Sequence, residues 1–236
     1  MASTEHLSVG GSTMEVYADA PAGAGPHPGV VVTHHRGALD AFTRKFVEDL
    51  AAAGYVAAAP AFYHRRPDGE ETAQSLAALD DAQMIADMRA VAGYLKGRAD
   101  VRGDSLAIVG HCMGGRAAFL GAASIEGFRA CAIFYGGNIF TPRGAGNPAP
   151  IERTGNIAAR VIGFFGNDDG NPSPDDVARI GAEMDKHGIA HTFHAYDGAG
   201  HAFQNFLGDN YREAQSRDAQ DKLLAFFKAE LAPVAA

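Results

Sequence analysis

The chain has 236 residues with 20 basic against 28 acidic side chains, and its net charge of −8 disfavours nucleic acid or an anionic membrane as a partner. Apolar residues make up 47% and charged ones 20%, a globular balance that argues against disorder and suits one α/β domain over residues 1–236. Two cysteines cannot build a disulfide framework, so Cys112 and Cys131 need separate explanations.

No apolar run is long enough to span a bilayer. The start, MASTEHLSVGG, lacks a basic segment followed by an apolar core, so no signal peptide is expected and the cysteine count favours a cytoplasmic location. Along the chain, Leu7–Val9, the turn Gly10-Gly11-Ser12 and Thr13–Tyr17 read as a hairpin. After a Gly/Pro loop at Asp19–Pro28, short apolar runs alternate with longer helical patterns. Strands are predicted at Val30–Thr33, Val56–Ala59, Leu106–Val109, Cys131–Tyr135, Val161–Phe165 and Thr192–Tyr196. Helices are predicted at Ala41–Ala53, Ala77–Lys96, Met113–Ala123, Pro174–His187 and Tyr211–Glu230. Asp175 and Asp176 favour a helix start, and Gly54 and Gly188 stand where helices stop. This rhythm predicts a doubly wound, mainly parallel sheet with helices on both faces. In such sheets the site lies beyond the carboxyl ends of the strands.

Three strand ends carry chemistry. Leu106–Val109 runs into Gly110-His111-Cys112-Met113-Gly114-Gly115 and a helix, the form of a nucleophile elbow with Cys in place of the commoner Ser. Such a turn is strained and needs small neighbours two positions away, and it sets the sulfur at a helix N-terminus, which favours thiolate. Read blandly, the same residues form a Gly-rich turn around a buried thiol. Val161–Phe165 is followed by Gly166-Asn167-Asp168-Asp169-Gly170, where Asp168 is the expected acid and Asp169 its neighbouring alternative. Thr192–Tyr196 leads to Asp197-Gly198-Ala199-Gly200-His201-Ala202-Phe203, with His201 the expected base. Cys112, Asp168 and His201 stand in the nucleophile–acid–base chain order of α/β-hydrolases. Cys131 begins an apolar run and reads as a core thiol. His34 and His35 are adjacent, so on a strand they point apart and make poor joint metal ligands.

The stretches GHCMGG, GNDDG and GAGHAF, together with VVTHHRGALDAFTRKFVEDLAAAGYVAAAPAFYHR, resemble the dienelactone hydrolase family of α/β-hydrolases over roughly residues 28–66 and 100–230. The resemblance implies an α/β-hydrolase fold and hydrolysis of a small-molecule lactone or ester through a thioester on Cys112, with no cofactor or metal. It implies His201 as base, Asp168 as its orienting acid, and an oxyanion hole of the backbone N–H groups of Arg36 and Met113. His35, Tyr63, Tyr135 and Phe203 are expected to line the substrate pocket. Two family residues are replaced: His35 stands where a Glu helps generate the thiolate, and Asn205 where an Arg grips a substrate carboxylate. Arg65 and Arg66 are cations that another loop could supply. Alternatives are a general carboxylesterase or thioesterase acting on a neutral substrate, and a non-hydrolytic redox-sensing or binding protein on the same fold. Either a monomer or a dimer is compatible with the sequence.

Overall fold

A computed structural model describes residues 2–67 and 69–233. The chain begins with a hairpin of β1 (Ser3–Val9) and β2 (Ser12–Asp19), then β3 (His27–Thr33), α1 (Ala41–Ala52) and β4 (Val56–Pro60). Two helices follow, α2 (Thr72–Ala77) and α3 (Asp81–Lys96), then β5 (Val101–His111), α4 (Met113–Ala122) and β6 (Phe128–Phe134). A 3-10 segment (Pro150–Asn156) precedes β7 (Arg160–Gly166), α5 (Pro174–Lys186), β8 (His191–Tyr196) and α6 (Glu213–Glu230).

The eight strands form one sheet in the order β1-β2-β4-β3-β5-β6-β7-β8. Among the described residues only the hairpin runs antiparallel: β1 to β2, and β2 to β4. From β4 to β8 every pairing is parallel, as the unbroken apolar runs predicted, because both faces are covered. Two apolar clusters divide the core. One packs α3, α4 and α5 residues such as Met88, Phe119 and Met184 against one face; the other packs Phe46, Leu50, Leu223 and Phe227 of α1 and α6 against the opposite face.

The predicted helix over Ala77–Lys96 is interrupted. Asp80 is extended and its carboxylate accepts the N–H groups of Ala82 and Gln83, so it caps a new helix. The helical apolar pattern continues across this break and conceals it. The final helix begins at Glu213, two residues after the predicted start.

Candidate active site

The carboxyl ends of the central strands converge on one cavity of about 980 Å³, which Cys112, His201 and Arg36 line. Cys112 bridges β5 and α4 with φ 57° and ψ −121°, a conformation that L-residues adopt only under constraint. The constraint is close packing of the elbow against β3. A Cβ on Gly110 would sit 2.0 Å from Thr33 Oγ1, and one on Gly114 would sit 2.0 Å from the Thr33 carbonyl oxygen. Glycine is therefore required at both positions.

Cys112 Sγ lies 3.0 Å from His201 Nε2. The other ring nitrogen, Nδ1, is 2.8 Å from an oxygen of Asp169. The expected acid was Asp168, and this assignment is corrected. Asp168 is tied by its backbone N–H to the Ala199 carbonyl, and its side chain is exposed. One residue further round the turn, Asp169 points inward, and its second oxygen accepts the N–H of Asn171 at 2.8 Å.

Burial opposes ionisation of Cys112, but the hydrogen bond and charge of His201 and the backbone N–H groups of Met113 and Arg36 outweigh it. The thiol is lowered from its ordinary value. Burial likewise disfavours a charged His201, yet hydrogen bonds to Asp169 and Cys112 raise it to about 10. Both shifts act toward the thiolate and imidazolium forms of the pair. The two N–H groups expected at the oxyanion hole thus both face the sulfur.

The pocket expectations divide. His35 and Tyr135 line the cavity. His35 Nε2 is 2.8 Å from Asp40, the N-terminal cap of α1. Tyr135 has φ 39°, and its buried hydroxyl has no hydrogen-bond partner among the described residues. Tyr63 is not among the lining residues; its hydroxyl donates to the Arg36 carbonyl at 3.2 Å. Phe203 is a core residue, fully buried against Tyr135 and Tyr196. Its side chain faces the helix layer and not the cavity. Cys131 is buried in the core, and burial pushes its thiol far up.

Arg65 and Arg66 are committed elsewhere. Arg65 forms a bidentate pair with Asp87, and Arg66 one with Glu70. Of the three arginines that line the cavity, Arg36, Arg116 and Arg143, Arg143 stands on the loop after β6. Its guanidinium donates to the Leu76 carbonyl at 2.6 Å and hydrogen-bonds no carboxylate among the described residues. Burial and the nearby Arg116 lower its pKa. Arg116, on α4, is itself buried and forks onto Asp81 at 2.6 and 2.9 Å. It also donates to the carbonyls of Asn138 and Thr141, while Asp81 accepts the N–H of Arg143. This buried pair holds the loop that carries Arg143. Sequence reasoning missed the arrangement because the loop has no motif; extending the strand-end rule to β6 would have included it.

Among the described residues, no group of three His, Cys, Asp or Glu side chains could hold a metal, and no helix is long and apolar enough to cross a membrane. The model of the dienelactone hydrolase family matches residues 14–231. The chain belongs to that family. A Synechocystis protein provisionally named carboxymethylenebutenolidase is 30% identical over 227 residues, covering 91% of each chain. A Bradyrhizobium protein provisionally named 2-oxo-3-(5-oxofuran-2-ylidene)propanoate lactonase is 28% identical over 95% of this chain and 93% of its own. A Klebsiella pneumoniae crystal structure, provisionally named dienelactone hydrolase, superposes with a TM-score of 0.89 at 27% identity, covering 96% of this chain and 98% of the other. The protein is a hydrolase of ester or lactone bonds on an α/β-hydrolase fold.

Proposed function

We propose that this dienelactone hydrolase-like protein cleaves esters or lactones in two steps through a thioester on Cys112. The reading rests on the Cys112–His201–Asp169 line, at 3.0 and 2.8 Å, with two backbone N–H groups on the sulfur. The thiolate adds to the substrate carbonyl, and the resulting oxyanion accepts hydrogen bonds from Met113 and Arg36 N–H. The carbonyl re-forms as the C–O bond breaks, and His201 gives its Nε2 proton to the departing alkoxide. In a lactone that alkoxide stays tethered to the acyl group. Neutral His201 then takes a proton from water as hydroxide adds to the thioester, the adduct collapses to the carboxylic acid with Cys112 departing as thiolate, and the acid releases its proton to solvent. Asp169 holds the His201 tautomer and stabilises its imidazolium throughout.

Arg143 supports a substrate bearing a carboxylate on its acyl part. A guanidinium that lines the cavity without a carboxylate partner matches such an anion in shape and charge. A neutral ester is the rival, favoured by Asn205 in place of the family Arg. Paired esters and lactones, with and without a carboxylate, test both levels. Cys112→Ala is expected to lose turnover while its circular dichroism stays native; retained turnover contradicts the covalent mechanism. Arg143→Gln is expected to lower kcat/KM about 10- to 100-fold for the carboxylate-bearing member alone, the worth of one charged hydrogen bond. An equal loss on both members contradicts the carboxylate assignment.

A further inference from the structure

The Arg36 N–H belongs to the same peptide unit as the His35 carbonyl. That peptide is trans, so the two groups point in opposite directions. Whatever holds the His35 carbonyl therefore aims the Arg36 N–H. Two donors hold it: the Ala38 N–H at 3.1 Å and His34 Nδ1 at 2.5 Å. The His34 ring is almost wholly buried, packed against Phe62 and Tyr63 with centroids 4.9 and 5.4 Å away. Its Nε2 lies 3.1 Å from the backbone nitrogen of Phe62, just beyond β4. A carbonyl can only accept and an amide N–H can only donate, so these partners require the neutral, Nδ1-protonated ring. Burial acts in the same direction and pushes the imidazole down to about 4.

We propose that His34 is a positioning residue for the oxyanion site, relaying a hydrogen-bond chain from Phe62 N–H through its ring to the 35–36 peptide. The inference rests on the acyl-transfer reading of Cys112. The chain ends at the Arg36 N–H, which faces the Cys112 sulfur at rest and the substrate oxyanion during addition. Each bond in such a chain polarises the next, so the Arg36 donor is both aimed and strengthened. The gain belongs to a transition state that carries the new negative charge, and it falls on kcat more than on KM. Removing one oxyanion donor outright costs about 10²–10³ in rate; loosening one is expected to cost about 10- to 100-fold.

His34→Leu removes the relay, and His34→Asn restores a donor near the position of Nδ1. With a p-nitrophenyl ester, His34→Leu is expected to lower kcat about 10- to 100-fold with KM within about twofold, and His34→Asn to recover most of the loss. A second readout needs no substrate. The pH midpoint for alkylation of Cys112 by iodoacetamide is expected to rise by about half a unit to one unit in His34→Leu and to return in His34→Asn. Buried Cys131 does not compete. If the wild type alkylates but hydrolyses no ester, the acyl-transfer reading fails, and the relay is still decided by the alkylation shift. Wild-type kcat and midpoint in His34→Leu, or equal damage in both variants, overturns the relay. Should His34→Leu not fold, ¹⁵N–¹H correlation of the wild-type ring decides directly. A proton on His34 Nδ1 supports the relay, and a proton on Nε2 overturns it.

Discussion

A carboxylate buried against one nitrogen of His201 contributes charge as well as orientation, and an isosteric amide separates it from its neighbour. Asp169→Asn is expected to lower kcat by about 10⁴, as in serine triads where the amide stabilises the wrong tautomer. Asp168→Asn, altering an exposed side chain, should stay within about twofold; steady-state kinetics on both variants checks this, and the reverse ranking contradicts it. The same residues set the pH dependence. The proposed acylation uses thiolate and imidazolium together, and His201 is raised to about 10. The kcat/KM profile is expected to hold through neutral pH and fall near pH 10 as His201 loses its proton. Cys112 and His201 were legible because glycines and strand ends flank them. The acid was not, because two adjacent aspartates share every sequence signal and only the turn decides which points inward. Phe203 misled for a related reason: closeness to His201 in sequence says nothing about which way the loop turns its side chain.

Elements, not single residues, deliver Arg143 to the cavity. Arg116 of α4 and Asp81 of α3 tie two helices to the 138–143 loop, and both side chains are fully buried. Removing one partner leaves the other charge unpaired in the core. Asp81→Ala is therefore expected to cost about 3–5 kcal/mol in urea unfolding; a loss below about 1 kcal/mol would show that the pair is not a structural anchor. The parallel strands were readable as apolar runs because both sheet faces are covered. The interruption between α2 and α3 was not, since the helical period runs through Ala78–Asp80 and hides the Asp80 carboxylate that caps the new helix. The 3-10 segment at Pro150–Asn156 has no periodic signal either, being a single short stretch held by local bonds.

Across the whole molecule, two buried neutral histidines link folding to protons. His34 is lowered to about 4 and His111 to about 3, both chiefly by burial. His111 sits beside the elbow, stacked on Phe134, and its Nε2 is 2.6 Å from Gln204 on the His201 loop. Unfolded histidines take protons at an ordinary value of 6.5, so the unfolded chain binds protons that the folded one refuses. Their contribution to stability is complete above pH 6.5 and is lost as pH falls through about 4 and then about 3. Urea midpoints are expected to fall with pH across this range, and more shallowly in the His111→Phe/Gln204→Leu double variant. Equal slopes would contradict the linkage.

At this scale the sheet-first arrangement also explains why one site forms. β3, β5, β7 and β8 end at the same edge, so residues 36, 112 and 201, remote in sequence, meet in a single cavity, with Asp169 on the far nitrogen of His201. Acid-quenched mass spectrometry of the enzyme turning over a p-nitrophenyl ester tests that convergence most directly. One added acyl group is expected on the peptide containing Cys112, lost as turnover ends and missing from Cys112→Ala. Sustained turnover with no acyl group on Cys112, or full activity in Cys112→Ala, would contradict it.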